Sequence, residues 1–334
     1  MRKLLLLLAL PCWLSAAGLQ IYAIDVEGGK STLYVSPSGQ SMLVDTGYAG
    51  YGGRDAKRIQ AAMKAAGITR IDYLVITHYH KDHAGGVPQL AAAIPIRNFI
   101  DHGKNFEAVK DNGEVYDDYV KARKKGNHIE VKAGDTIPID GLRVDVVTAA
   151  GVAMNGPLAG APGAGQPNPA CKTYQAIEPD HGENSRSIGM TIQYGKFRAV
   201  DLGDLYWNQE HDLACPVNKI GTVDVYMTTH HGKKTSGSPQ MVWALHPKVA
   251  VMNNGPVTGG SELAWSTIRQ SPGLLDLWQL HYASQNDRKH NADEQYIANL
   301  KEHGCEGDWI RVTAEANGSF TVRNGRTGFE KAYR

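Results

Sequence analysis

The chain has 334 residues, a formal net charge of +1 and four cysteines, a size that suits one large domain or two small ones. Removing Arg2 and Lys3 from the 35 basic residues leaves 33 against 34 acidic ones. This balance excludes the basic face that sequence-independent nucleic-acid binding normally needs, and leaves open only a local basic patch.

The first residues, Met1-Arg2-Lys3, precede an apolar run from Leu4 to Leu10, and Ser15-Ala16-Ala17 supplies small residues before Gly18. This succession predicts a signal peptide over residues 1–17 and an exported protein, periplasmic or secreted, that starts near Gly18. Pro11 interrupts the run, which is shorter than the roughly 20 apolar residues that span a bilayer. No stable membrane insertion is expected once the leader is gone. Losing Cys12 with the leader leaves Cys171, Cys215 and Cys305, for which the default is one structural pair and one buried thiol.

From Leu19 to Asp45, three short β-rich runs are separated by Glu27-Gly28-Gly29 and Pro37-Ser38-Gly39, as in strands joined by tight turns. Asp55 to Ala66 is predicted helical, with Ile59, Met63 and Ala66 on one face and Gly67 as its stop. Tyr73 to Thr77 is a short apolar strand that delivers His78. A helix at Val87–Ala93, a strand at Ile96–Ile100, a charged helix from about Glu114 to Lys125 and a strand at Val144–Thr148 complete the first half. Lys121, Arg123, Lys124 and Lys125 read as a solvated helix face.

Between about residues 149 and 170 the composition turns to Gly, Ala, Pro and Asn, and Pro157, Pro162, Pro167 and Pro169 break any regular element. A loop this long serves either as a lid or as a surface insertion. The second half repeats the plan, with a hairpin from Ser187–Tyr194 to Phe197–Leu202 and an apolar strand at Val223–Thr228 before His230. Further β/α alternation runs to Val322. Two β-rich halves with helices outside predict a single α/β domain over residues 18–334, a four-layer αββα sandwich.

The densest chemistry lies in Thr77-His78-Tyr79-His80-Lys81-Asp82-His83, which gathers three imidazoles and a carboxylate directly after a strand. Imidazole and carboxylate together suit zinc or another first-row metal. Alternation on an extended loop is expected to turn His78 and His80 toward one ion, and Asp82 and His83 toward its neighbour.

This run resembles the His-x-His-x-Asp-His signature of the metallo-β-lactamase superfamily. Asp25-Val26-Glu27-Gly28-Gly29 and Met42-Leu43-Val44-Asp45-Thr46-Gly47 resemble that fold's first hairpin, which makes Asp45 the aspartate that supports the metal loop. Leu202-Gly203-Asp204 resembles the segment with the carboxylate that bridges two metals, and Thr229-His230-His231-Gly232 the segment with the last histidine ligand. Glu183-Asn184-Ser185-Arg186-Ser187-Ile188 and His230-His231-Gly232-Lys233-Lys234-Thr235-Ser236 are most similar to the hydrolase domain of ComEC-type competence proteins. The membrane channel segments of those proteins have no counterpart here.

The resemblance implies two divalent ions, zinc first with manganese or iron as alternatives, held by His78, His80, Asp82, His83, Asp204 and His230. Where most members have a Gly-His-Thr histidine, this chain has Glu183-Asn184-Ser185, so Asn184 or else His181 is left to complete the first site. His230 is preferred as ligand because it follows the strand directly. Asp82 is expected to orient the nucleophile, and His231, Lys233 or Lys234 to stabilise negative charge. His281 is a candidate for the rim or for a buried structural role.

The implied chemistry is hydrolysis by a metal-bridging hydroxide, on a phosphoester, a phosphodiester or another small-molecule substrate. A β-lactamase or lactonase shares the mechanism but uses the missing histidine. A non-catalytic binding module of the same fold is disfavoured by the full ligand set.

Overall fold

The computed structural model describes residues 18–107 and 110–334, with the backbone alone described for residues 110–112. The expected leader, residues 1–17, lies outside the described residues.

The strands, in chain order, are β1 (Leu19–Ala23), β2 (Thr32–Val35), β3 (Ser41–Val44), β4 (Ile71–Val75), β5 (Ile96–Asp101), β6 (Asn127–Glu130), β7 (Thr136–Ile137), β8 (Arg143–Ala149) and β9 (Val152–Ala153). They continue with β10 (Gly189–Tyr194), β11 (Phe197–Asp201), β12 (Val225–Met227), β13 (Val249–Met252), β14 (Asp276–His281), β15 (Ile297–Asn299), β16 (Ile310–Ala314), β17 (Phe320–Asn324) and β18 (Glu330–Tyr333). One sheet runs β18-β17-β16-β1-β2-β3-β4-β5-β6; the other runs β15-β14-β13-β12-β11-β10-β8-β7, with β9 paired to β8.

Seven α-helices flank the sheets among the described residues: α1 (Arg54–Ala65), α2 (Lys81–Ala84), α3 (Val87–Ala93), α4 (Lys110–Arg123), α5 (Trp207–Ala214), α6 (Pro239–Leu245) and α7 (Glu262–Arg269).

Period-two alternation assigns each strand residue to a layer. In β3 and β4, Met42, Val44 and Val75 join Met190, Ala199 and Val251 between the sheets. Leu43 and Leu74 face the other way, onto Ile59 and Met63 of α1 and Leu90 of α3. On the second sheet, Val200, Tyr226 and Ala250 pack against Leu213 of α5, Val242 of α6 and Ile268 of α7. Each such side chain withdrawn from water contributes about 1.5–3 kcal/mol, so burial between layers, and not helix propensity, holds the short helices in place. The result is the αββα sandwich.

Both sheets are parallel where the chain crosses over through helices, β3 to β4 to β5 and β11 to β12 to β13 to β14. The carboxyl ends of β4, β11 and β12 therefore gather on one edge of the sandwich, where open α/β sheets place their ligands.

The Gly/Pro-rich stretch is fastened to the outside of the second sheet, away from that edge. Cys171 and Cys215 form a disulfide, and the Asn168 amide donates to the carbonyls of Ala214 and Gln240 at 3.0 and 2.8 Å. Leu158 and Gly165 donate their backbone N–H groups to Lys219 and Asn218. The expected thiol, Cys305, is half-buried. It sits in an ion network that ties the β1–β2 loop to β14 and α1. Asp25 meets His281 at 2.8 Å and Arg58 at 2.8 Å, and Arg58 also reaches Glu27 at 3.1 Å and the Cys305 sulfur at 3.2 Å. The guanidinium supplies the positive charge that these acceptors require, and His281 is fully buried in a structural role.

Candidate metal centre

Asp45 holds the histidine loop from below. At the end of β3 it takes a left-handed conformation, φ 63°. Its carboxylate accepts from the Thr77 N–H and the Thr77 hydroxyl, both at 2.8 Å, and from Nδ1 of His83 at 2.7 Å. The loop is not extended throughout. His80 is extended, but Lys81–Ala84 closes into the single turn of α2. An extended chain would turn Asp82 and His83 to opposite faces, whereas successive helical residues are about 100° apart. Both therefore reach the same point.

That point is a four-residue cluster of Asp82, His83, Asp204 and His231, whose ligand atoms all lie within 4.8 Å of one another. The Asp204 Oδ2 lies 3.2 Å from Nε2 of His83, 3.3 Å from Nε2 of His231 and 3.4 Å from Nε2 of His230, and 4.0 Å from Nε2 of His78. His231 also approaches the Asp82 carboxylate at 3.5 Å. The expectation that His230 is the ligand and His231 its helper is thus corrected: His231 completes the cluster with Asp82 and His83, while His230 faces Asp204 and lines the cavity. The reason is local. His230 and His231 both adopt left-handed backbone, φ 53° and 56°, which reverses the chain after β12.

The second group is formed by His78 and His80, with His78 Nε2 and His80 Nδ1 3.0 Å apart. Asn184 lines the same cavity as His80, Asp82 and Asp204, whereas His181 is exposed. The other nitrogen of each imidazole is anchored, which selects the tautomer presented to the centre. His78 Nδ1 meets the hydroxyls of Thr77 and Ser187 at 3.1 and 3.3 Å, and His80 Nε2 meets Glu107 at 3.2 Å. His230 Nδ1 meets Ser236 at 3.0 Å, and His231 Nδ1 meets the Asn253 amide at 3.4 Å. Glu183, beside Asn184, is fully buried and accepts from the N–H groups of Tyr79 and Phe106 and from His102.

These donors fit a pair of divalent ions. Asp204 Oδ1 and Asn184 Oδ1 are buried without a hydrogen-bond partner, as expected of atoms that await a cation. Asn184, His78, His80 and Asp204 would hold the first ion, and Asp82, His83, His231 and Asp204 the second. Electrostatics agrees. Burial, reinforced by neighbouring His83 and His80, holds the His78 pKa well below the usual histidine range, and burial takes His230 down to about 3. Both are held as neutral imidazoles, which leaves His78 ready to ligate. Burial opposes charge on Asp82 and Asp204 too, but His83 above all keeps both carboxylates ionised. At His83 burial is outweighed by Asp204, Asp45 and Asp82, which raise its pKa. The cluster carries concentrated negative charge that protonated imidazole balances in the absence of a metal.

A cavity of about 630 Å³ opens above these residues. Lys233, Lys234 and Tyr206 line it, as do Val257, Thr258 and Gln285. Lys121, Arg123 and Lys125 are elsewhere: Lys121 pairs with Asp118, Arg123 with Asp101, and Lys125 with the Ala91 carbonyl. None of residues 149–170 lines this cavity among the described residues. Sequence reasoning missed Tyr206, whose ring stacks 5.3 Å from His230, and Glu107. Neither falls in a motif, and only their position after folding brings them here.

Residues 24–166 match the family model described as the metallo-beta-lactamase superfamily. Over 253 residues the chain is 26% identical to recombination protein 2 of Haemophilus influenzae, covering 74% of this chain and 25% of that protein. Over 264 residues it is 27% identical to ComE operon protein 3 of Bacillus subtilis, covering 75% and 30%. The chain thus spans between a quarter and a third of the length of these relatives. Among solved structures, the metallo-beta-lactamase fold protein YhfI from Bacillus subtilis is similar with a TM-score of 0.48 and 11% identity, covering 78% of this chain and 96% of that one. Residues 24–166 thus form a metallo-β-lactamase superfamily domain, and members of that superfamily are metal-dependent hydrolases. Its similarity to the two competence-related proteins is modest but extends over three-quarters of its length.

Proposed function

We propose that this chain is an exported zinc-dependent hydrolase of phosphoesters or phosphodiesters. The observation that carries the substrate class is the cavity lining, in which Lys233 and Lys234 join His80, Asp82 and Asp204 around a space of about 630 Å³. Two ammonium groups there favour an anionic substrate and stabilise charge that develops on its equatorial oxygens. A neutral lactone or lactam ring has less use for them. Paired metal ions supply a nucleophilic water near neutral pH and polarise the scissile centre.

The protein's own groups do the rest. Asp82, kept ionised, accepts a proton from the nucleophile or orients it. The Tyr206 ring, stacked on His230, shapes the wall beside Asn184. His230, neutral and anchored through Ser236, points Nε2 into the cavity and is placed to hydrogen-bond substrate. Zinc is favoured over manganese or iron by the imidazole-rich donor set. Export is supported by the Cys171–Cys215 disulfide, a bond that persists in oxidising compartments.

The test is turnover by the purified, metal-loaded protein on a phosphodiester, a phosphomonoester, a lactone and a β-lactam, with Lys233→Ala beside the wild type. The expected result is preference for the phosphoesters and a 10- to 100-fold loss of kcat/KM on them in the variant. Equal or faster turnover of the neutral substrates overturns the reading.

A further inference from the structure

Lys30 is a lysine almost entirely withdrawn from water, 1% exposed, at the end of the β1–β2 loop. A buried ammonium is expensive unless it is paired. Here its Nζ forms an ion pair with Asp201, which is itself fully buried. Asp201 is the last residue of β11 and shares the inward face of that strand with Ala199, so the pair spans the space between the two sheets.

Both ends of Lys30 touch the machinery for one ion. Its backbone N–H donates to the carbonyl of Asp82 at 3.0 Å, and its own carbonyl accepts from Gly47 at 3.0 Å. The preceding Gly29 packs so closely that a Cβ there would lie 2.5 Å from the Asp82 carbonyl oxygen. At the other end, Asp201 accepts from the N–H of Gly203 at 3.2 Å and from the Tyr34 hydroxyl at 3.4 Å. Gly203 turns with φ 57°, against Ser187, whose hydroxyl accepts the N–H of Asp204 at 3.0 Å.

We propose that Lys30 is a positioning residue that sets the spacing of the two carboxylate ligands. Its main chain holds Asp82 on the first sheet, and its ammonium holds, through Asp201, the turn that presents Asp204 on the second. The ammonium also cancels the Asp201 charge, so that Asp204 meets the ions without a second uncompensated carboxylate behind it. Lys30 itself touches neither ion nor substrate. The inference rests on the metal-dependent reading of the site.

The test uses the full mature chain with Zn²⁺ and with Co²⁺ as a spectroscopic probe. Lys30→Met alone leaves Asp201 buried and unpaired and risks misfolding. Lys30→Met combined with Asp201→Asn removes both charges, leaves an acceptor for the Gly203 N–H and cuts only the tie between the sheets. Competition with a chelator gives the two dissociation constants, the Co²⁺ visible spectrum reports the geometry around the ion, and melting of the metal-free protein reports stability.

The expected result is a double variant that melts within a few degrees of wild type but binds the second ion, the one Asp82, His83, His231 and Asp204 would hold, at least tenfold more weakly, with altered Co²⁺ bands. Unchanged affinity and spectrum overturn the proposal, as does a loss of affinity that follows only from a matching loss of metal-free stability. A wild-type protein that binds neither ion instead brings down the hydrolase reading and this inference with it.

Discussion

Replacing His231 and His230 separately by alanine asks which histidine of the pair holds the second ion. His231 Nε2 lies 3.3 Å from the Asp204 carboxylate, 3.3 Å from His83 Nε2 and 3.5 Å from the Asp82 carboxylate, and it belongs to the cluster of four. Binding free energies for structural zinc with four protein ligands run at about 10–16 kcal/mol, or roughly 3–4 kcal/mol per ligand. At about 1.4 kcal/mol per tenfold, His231→Ala should weaken the second ion by roughly 100- to 1,000-fold. Asn184, His78 and His80 are untouched, so the first ion should remain. His230→Ala removes an imidazole outside the cluster; it should retain two ions and lose turnover. Equilibrium dialysis followed by elemental analysis, with chelator graded over several decades, measures both stoichiometries. Release of an ion by His230→Ala with full retention by His231→Ala would refute the assignment.

Asp45→Asn turns an amide toward His83 Nδ1, where a carboxylate now accepts at 2.7 Å, and should weaken metal binding by about 10- to 100-fold in the same dialysis. Replacing Cys171 and Cys215 by serine opens a bridge with a sequence separation of 44, for which chain entropy predicts up to about 4 kcal/mol lost in urea unfolding. Metal stoichiometry should not change, because that bond lies outside the site. For Asp25, burial raises the pKa but His281, Arg58 and the Glu27 N–H outweigh it, so the folded value lies below the unfolded one. Its stabilisation is therefore present above about pH 4 and is lost as pH falls below that. Asp25→Asn should be destabilised by about 3–5 kcal/mol at pH 7, and the gap from wild type should narrow toward pH 2. A gap that stays constant between the two pH values counts against this network.

Local sequence determined much of this protein. The strand before His78, expected at Tyr73–Thr77 and found two residues earlier at Ile71–Val75, the Gly67 stop after α1 and the spacing of His78, His80, Asp82 and His83 are all short-range patterns, read from periodicity and turn chemistry. Asp45 and Asp204 were legible because each follows an apolar strand end in a motif that names its role. The choice between His230 and His231 was not legible. Two adjacent histidines are equivalent in a one-dimensional pattern; in the fold both reach Asp204, and the consecutive left-handed residues turn His231 alone into the group with Asp82 and His83.

Asp201, only three residues from Asp204, is taken out of play by a lysine 171 residues upstream in the chain, whose ammonium pairs with it. The long Gly/Pro-rich loop reads equally well as lid or insertion; its attachment to the far side of the second sheet follows from a disulfide and amide contacts that no local rule predicts. Short-range chemistry supplies the candidate ligands, because a side chain's donor atoms are covalent. The distance between Asp82 on one sheet and Asp204 on the other depends on how two separately formed sheets stack, and that is settled only when their shared core closes.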